Sequence, residues 1–107
     1  MEILIYLPTY DKKYINALSK VISKRIGGLT LFLNNKGYWF NENKFYIDNI
    51  TLIQIIKNLT FKEKILKFFR IKTDTEKYIL NVIAKVIKED LKQLSVLIVI
   101  NHKAYLI

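Results

Sequence analysis

The sequence lacks cysteine altogether and contains a single histidine, His102. Disulfide frameworks, thiolate zinc sites and cysteine nucleophiles are therefore excluded. A lone histidine also leaves no partner for a histidine-rich metal site or a serine–histidine relay. We expect no cofactor and no catalytic residue, and therefore a protein that is not an enzyme.

Long apolar runs are missing as well. No stretch approaches the roughly 18 to 20 apolar residues that a membrane-spanning helix needs. Residues 1–8 lack the basic start and the small-residue cleavage site of a signal peptide. We expect a soluble, cytoplasmic protein that does not bind membranes.

The chain is short, with 107 residues, and 51% of them are hydrophobic. This number of hydrophobic residues suffices for one hydrophobic core, whereas each of two domains in a chain of this length would be too small to form its own. No repeat, linker or low-complexity segment interrupts the sequence. Residues 1–107 are therefore predicted to form a single α/β domain.

Positive charge is concentrated in two segments of the chain. The formal net charge is +9, of which residues 11–28 carry +4 and residues 57–72 carry +5, so that the rest sums to zero. The abundance of Ile, Lys, Asn and Tyr, which share A/T-rich codons, explains part of the lysine count but not the clustering. Local basicity of this kind suits an acidic partner such as nucleic acid.

The first third of the chain is predicted to form a strand followed by a helix. Residues 2–7 place apolar side chains on both faces of a strand that Pro8 ends. From Asp11, a suitable N-cap, apolar residues recur with a helical period. The pair Gly27-Gly28 then ends this helix.

The middle of the chain is predicted to be β-structure. Two short strands, residues 29–33 and 37–40, flank residues 34–37, which tolerate positive φ and predict a hairpin turn. A second turn at residues 41–44 leads into a strongly β-forming strand over residues 45–56.

The remaining sequence is predicted to form two helices and a final pair of strands. Within residues 57–72, helical spacing of Phe61, Ile65, Phe68 and Phe69 predicts a short amphipathic helix over residues 61–70. The second, long helix starts at Asp74 or Thr75 and ends near Gln93, with four apolar residues inward: Ile79, Val82, Ile83 and Val86. Residues 95–100 then form a strand, and Asn101-His102 turn the chain into a last strand ending at Ile107.

This order of elements is that of an α+β, ferredoxin-like split β-α-β sandwich with an antiparallel sheet, two long helices and an extra basic helix inserted before the second of them. Because helices cover one face of such a sheet and the first and last strands are apolar on both faces, something else must cover the other face. Two alternatives are open: the inserted helix, or a second copy in a symmetric dimer. We expect a homodimer.

Several short motifs follow one another in a familiar order: Pro8-Thr9, Ile26-Gly27-Gly28-Leu29-Thr30, Gly37-Tyr38-Trp39 and Gln93-Leu94-Ser95-Val96. With them the chain resembles a loose group of small proteins from plasmids, phages and their bacterial hosts that share Phe-Gly-Gly-Ala-Thr, Gly-x-Trp and Gln-Glu-Ser-Val motifs. Asp48 stands where that group has a glutamate after the hairpin. The resemblance implies an α/β sandwich, transfers no catalytic residue, and leaves residues 57–72 as an insertion.

The hypothesis drawn from these features is a non-enzymatic binding protein of a mobile genetic element that engages nucleic acid or a nucleoprotein. Helical spacing favours packing of Phe61, Phe68 and Phe69 against the core as a lid, with the cations outward; the alternative is that the rings stack on bases. The predicted binding residues are Lys57, Lys62, Lys64, Lys67, Arg70, Lys72, Lys20, Lys24 and Arg25.

Two other functions stay open. A protein–protein inhibitor of a host defence complex, of the anti-CRISPR type, would use the same basic face on a protein. A metal-dependent nuclease would need Asp11 to converge with other acids, although a helix N-cap is the favoured role for Asp11. Trp39 is predicted to be a core or dimer contact rather than a platform for a ligand.

Overall fold

The structure, a computed structural model, describes all residues 1–107 and has an α+β architecture with a five-stranded antiparallel sheet. The strands are β1 (Glu2–Leu7), β2 (Thr30–Asn41), β3 (Lys44–Ile56), β4 (Leu97–Ile100) and β5 (Lys103–Leu106). They lie side by side in the order β2-β3-β1-β4-β5. The sheet thus has β1 at its centre and β2 and β5 at its edges.

Three helical segments complete the chain. Helix α1 spans Lys12–Ile26 and helix α2 spans Phe61–Phe68. The third segment, called the long helix below, runs on through α3 (Asp74–Tyr78), a π-helical turn (Ile79–Ile83) and α4 (Ala84–Asp90). None of these helices combines the length and the apolar content needed to cross a lipid bilayer.

The hydrophobic core lies between one face of the sheet and two of the helices, α1 and the long helix. Alternate residues of the central strands point inward, as the period of two along a pleated strand requires. The core consists of sixteen buried side chains, among them Ile3, Ile5, Ile53, Ile55, Ile98, Ile15, Ile22, Ile79, Ile83 and Ile87. Each buried isoleucine contributes about 1.5 to 3 kcal/mol relative to an exposed one.

Helix α1 begins and ends where the sequence predicts. The Asp11 side chain accepts hydrogen bonds from the backbone amides of Lys13 and Tyr14, at 3.1 and 3.4 Å. Gly27 adopts a φ of 121°, and its amide donates to the carbonyl of Ser23. The predicted N-cap and glycine C-cap are both confirmed.

Helix α1 and the long helix run antiparallel to each other. The Tyr14 hydroxyl donates to Asp90 Oδ2 at 3.0 Å, and the Arg25 guanidinium lies 4.9 Å from the centroid of the Tyr78 ring. Burial, and then the hydrogen bond to Asp90, raise the pKa of Tyr14 above its usual value. These two contacts fix the register between the helices at both ends of α1.

Strand β2 corrects one prediction about the middle of the chain. Residues 34–37 do not form a hairpin turn: Thr30–Asn41 is a single strand, interrupted by a bulge between Phe32 and Asn35 at which Asn34 has a φ of 63°. The positive φ that the sequence indicates is thus used for a bulge, which keeps the strand paired while bending it. The chain reverses only at Glu42 and Asn43, within the second predicted turn.

The long helix corrects a second prediction. Ile79 and Ile83 are buried as predicted, but Val82 and Val86 are 47% and 39% exposed. The buried positions are instead Ile79, Leu80, Ile83, Ala84 and Ile87. They still follow the ordinary helical period, so the buried face is turned toward Leu80 and Ala84 relative to the predicted one.

The second face of the sheet lies outside the hydrophobic core. Its central side chains, Leu4, Tyr6, Leu52, Leu97 and Val99, are half-buried, and none of them belongs to the core. A groove on this face is lined by Tyr6, Leu52 and Leu97 and receives no residue from α2 or from any other helix. In this groove the inserted helix does not supply the predicted cover.

Candidate functional site

Helix α2 is the central element of the basic segment, residues 57–72, and polar contacts tie its start to the domain. Thr60 and Glu63 form a capping box, in which each side chain accepts a hydrogen bond from the backbone amide of the other. The Lys57 ammonium lies 3.2 Å from Glu63 Oε2 and 3.0 Å from Thr75 Oγ1. Lys57 is thus a structural residue that joins α2 to the long helix.

The carboxyl of Glu63 is held ionised by these contacts. The hydrogen bond from the Thr60 backbone amide, more than the bond from the Lys57 ammonium, lowers the pKa of Glu63. The start of α2 therefore keeps a negative charge where the helix dipole favours one.

A second ion pair ties the end of α2 to the long helix. Lys67 contacts the carboxylate of Glu76, which is almost fully buried. Glu76 also accepts from the amide and hydroxyl of Thr73, at 3.4 and 3.3 Å. Lys67, which is predicted to bind a partner, is the counter-charge of a buried acid in this structure.

Four predicted binding residues of the segment remain exposed: Lys62, Lys64, Arg70 and Lys72. Lys72 lies 5.8 Å from the centroid of the Tyr105 ring, and Arg70 has a φ of 59° where the chain leaves α2. Lys62, Lys64 and Arg70 have no acidic partner within ion-pair distance. Their charges are available to an anion.

The aromatic residues of α2 are exposed, which corrects the lid prediction. Phe61, Phe68 and Phe69 are 80%, 82% and 65% exposed, and no residue of α2 is buried. Helical spacing correctly places Phe61 and Phe68 on a helix, which ends at Phe68 rather than at Arg70. The spacing does not determine whether another surface lies against the rings. Here the rings are exposed, with Lys62 next to Phe61 and Arg70 next to Phe69 in the chain.

The cations of α1 lie partly beside this segment. Lys24 and Arg25 occupy the last turn of α1, and the chain that follows, residues 26–30, shares a cleft of about 420 Å³ with Lys57. Lys20 lies about one turn earlier on the same helix. All three are exposed, so the structure brings two of them to the end of the molecule at which the basic segment starts.

A second exposed aromatic surface lies far from the basic segment in sequence. Beyond the bulge, β2 and β3 continue as a two-stranded hairpin, residues 36–49, called the arm below. The large side chains of the arm are about half to three-quarters exposed; they are Tyr38, Trp39, Phe40, Phe45, Tyr46 and Ile47. The charges of the arm, from Lys36, Glu42, Lys44 and Asp48, sum to zero.

A groove of about 630 Å³ lies between the base of the arm and the open face of the sheet. Motif residues that are distant in sequence meet in its lining: Pro8, Gly37, Trp39, Asp48, Gln93 and Ser95. Gly37 packs closely here: a Cβ at this position would lie 2.5 Å from Ile50 Cδ1, the end of a flexible side chain, and 3.3 Å from Trp39 Nε1. The sequence analysis did not predict this groove. The short motifs named there were the available signal for it, because their residues line the groove.

Asp11 and the other acids do not form a metal site. No three His, Cys, Asp or Glu side chains come close enough together to hold a metal ion. The Asp11 carboxylate is used for capping, and Glu76 is paired with Lys67. No observation therefore favours the nuclease among the three functions.

Comparison of the chain with protein families, curated proteins and solved structures gave no match. The resemblance to the small plasmid and phage proteins stays a prediction.

Proposed function

We propose that the protein binds single-stranded nucleic acid, or a nucleoprotein that exposes it, through helix α2. The observation that carries this proposal is that Phe61, Phe68 and Phe69, at the two ends of α2, are 65% to 82% exposed and lie next to exposed cations in the chain. A helix that served only as a lid would bury its rings. This one leaves them in water next to unpaired positive charges.

Single strands fit this arrangement better than duplexes do. Lys62, Lys64 and Arg70 can neutralise phosphates of either form. The rings, however, need a base face, and base faces are accessible only where bases are unstacked and unpaired. Phe68 and Phe69 meet edge to face, with centroids 5.3 Å apart, and this geometry leaves ring surface free for stacking.

The structure also narrows the set of binding residues. Lys57 and Lys67 pair with Glu63 and Glu76, so their substitution would act on stability before it acts on binding. The proposed contact set is Lys62, Lys64, Arg70, Phe61, Phe68 and Phe69. Further positive charge near this contact set comes from Lys72, Lys24 and Arg25, which would attract phosphates without contacting bases. Lys20, one turn earlier on α1, is the most distant of the predicted binding residues.

The test is a titration of labelled oligonucleotides followed by fluorescence anisotropy. A single strand should bind more tightly than a duplex of the same length and charge density. Phe68→Ser should weaken single-strand binding by roughly 5- to 150-fold, because one base–aromatic stack contributes about 1 to 3 kcal/mol. Duplex binding should change little in the same variant.

Phe45→Ser is the matched control, since Phe45 is a phenylalanine of similar exposure, 77%, outside the basic segment. With an oligonucleotide too short to contact two copies of the chain at once, it should leave the affinity unchanged. Absence of binding to any oligonucleotide at low salt would contradict the proposal. Capture of a host protein or of anionic vesicles through Phe68 instead would assign α2 to an inhibitor or to a membrane surface.

We also propose that the fold is a ferredoxin-like split β-α-β sandwich extended by one strand. The order β2-β3-β1-β4 with antiparallel neighbours supports this assignment, as do the two antiparallel helices packed on one face. Strand β5 would then be an addition at the edge.

A further inference from the structure

The arm is too apolar to be left in water alone. A two-stranded hairpin is marginally stable by itself, and a third strand or a packed face is needed for independent stability. The arm has six paired positions, from Lys36↔Asn49 to Asn41↔Lys44, and it extends roughly 20 Å at about 3.4 Å for each residue. Its rings meet each other, as Phe40 and Phe45 do at 5.0 Å, but no helix packs on them.

The exposed apolar area of the arm matches that of one side of a stable interface. Its six large side chains are 48% to 77% exposed. Since a buried aromatic residue removes about 150 to 250 Å² from water, covering the arm would bury roughly 600 to 900 Å². A standard protein–protein interface buries about 800 Å² on each partner.

Charge identifies the kind of partner. The whole chain has a formal charge of +9, yet the arm is neutral, with two cations and two acids. Nucleic acid would gain nothing electrostatically on this surface. Two copies of a +9 protein repel each other, so they can approach most favourably through a surface without net charge.

We propose that the arm is the contact surface of a symmetric homodimer, in which each arm packs into the groove of the other copy. A two-fold axis makes the contact reciprocal, so both arms and both open sheet faces are covered at once. The groove supplies apolar lining for the rings of the partner's arm, including Tyr6, Leu52, Leu97 and Leu106. This inference rests on the arm alone and holds whether or not α2 binds nucleic acid.

The single tryptophan of the chain makes the dimer directly observable. Trp39 lies in the arm and is 50% exposed in one copy. Sedimentation should show a dimer at micromolar concentrations, and on dilution the Trp39 emission should shift to longer wavelength as the dimer dissociates. Because the contact is neutral, raising the salt concentration should not weaken it. A wild-type protein that stays monomeric, with unchanged emission, would overturn the proposal.

Matched variants separate the two surfaces. Phe45→Ser should raise the dimer dissociation constant by at least 10-fold, whereas Phe68→Ser should leave it unchanged. Circular dichroism would confirm that both variants fold. If Phe45→Ser fails to fold, Glu42→Cys at the tip of the arm gives a second test, because this chain has no other cysteine and a maleimide label there should react more slowly as concentration rises. Equal dimerisation of both serine variants, or concentration-independent labelling, would refute the arm interface.

Discussion

Lys67 is predicted to be the most costly of the basic-segment lysines to remove. Lys67→Met keeps the length of the side chain but leaves the Glu76 carboxylate buried without a counter-charge. Glu76 is 1% exposed, and its remaining partners are the two long hydrogen bonds from Thr73. The substitution should therefore lower the free energy of unfolding.

The magnitude follows from the burial of the two partners. Removing one member of a fully buried ion pair costs about 3 to 5 kcal/mol. The Lys67 side chain is 30% exposed and Thr73 continues to donate, so we expect about 2 kcal/mol. A domain of this size has a total stability of about 5 to 15 kcal/mol.

Urea denaturation monitored by circular dichroism measures this change. With a urea m-value of about 1.5 kcal/mol/M, the midpoint should fall by roughly 1.3 M. Lys62→Met, which removes an exposed lysine of the same helix, should leave the midpoint unchanged within error.

A double-mutant cycle tests the stated cause. Glu76→Gln removes the buried charge, so a following Lys67→Met should cost far less than it does in the wild type. Equal midpoints for wild type and Lys67→Met would refute the reasoning. So would an equal cost of Lys67→Met in both backgrounds.

Three further predictions concern the caps of α2 and the base of the arm. Thr60→Ala should destabilise α2 by about 1 kcal/mol, seen as faster hydrogen exchange of the α2 amides, while core amides stay protected. Because Glu63 has a lowered pKa, its contribution is present above the unfolded value of about 4.3 and is lost as the pH falls through the folded value; an acid titration of Glu63→Gln should lack this loss. Gly37→Ala should push Ile50 Cδ1 aside and press on the Trp39 indole at 3.3 Å, with a cost of about 1 kcal/mol through overpacking and a shift of the indole emission. Gly28→Ala, with nothing within 4 Å of the added Cβ, should have no effect on the emission.

Local signals predicted much of the fold. The Asp11 cap, the Gly27 terminus and the turn at residues 41–44 depend on single residues and their neighbours, and all three are confirmed. The antiparallel sheet follows from the strand patterns. What those patterns could not provide was the choice between a turn and a bulge at Asn34, since positive φ serves both.

Longer-range features were beyond the reach of periodicity. Apolar residues occupy more than one side of the long helix, so the helical period alone does not distinguish an inward face with Val82 and Val86 from one with Leu80 and Ala84. The same period put Phe61 and Phe68 on one face of α2 but could not show that this face meets no other element. The exposure of a side chain depends on the whole fold. The phenylalanine rings of the basic segment therefore support a binding site only once the structure shows that they are exposed.

The candidate site was predicted in part. Clustering of charge located the basic segment, and Lys62, Lys64 and Arg70 are exposed as expected. Lys57 and Lys67 were assigned to binding because their acidic partners, Glu63 and Glu76, could not be paired with them from spacing alone. The arm was not predicted as a binding surface from the sequence. It has no net charge, and the exposure of its large side chains is visible only in the folded chain.

The salt dependence of single-strand binding tests the central claim most directly. Wild type is compared with a variant in which Lys62, Lys64 and Arg70 are all changed to Gln, and with a control that neutralises the exposed Lys12, Lys13 and Lys85. We predict that the slope of log K against log salt becomes shallower by about 2 in the first variant, at about 0.7 for each phosphate contact, and hardly changes in the control. Equal slopes in both variants, or an unchanged slope in the first, would contradict a nucleic-acid site on α2.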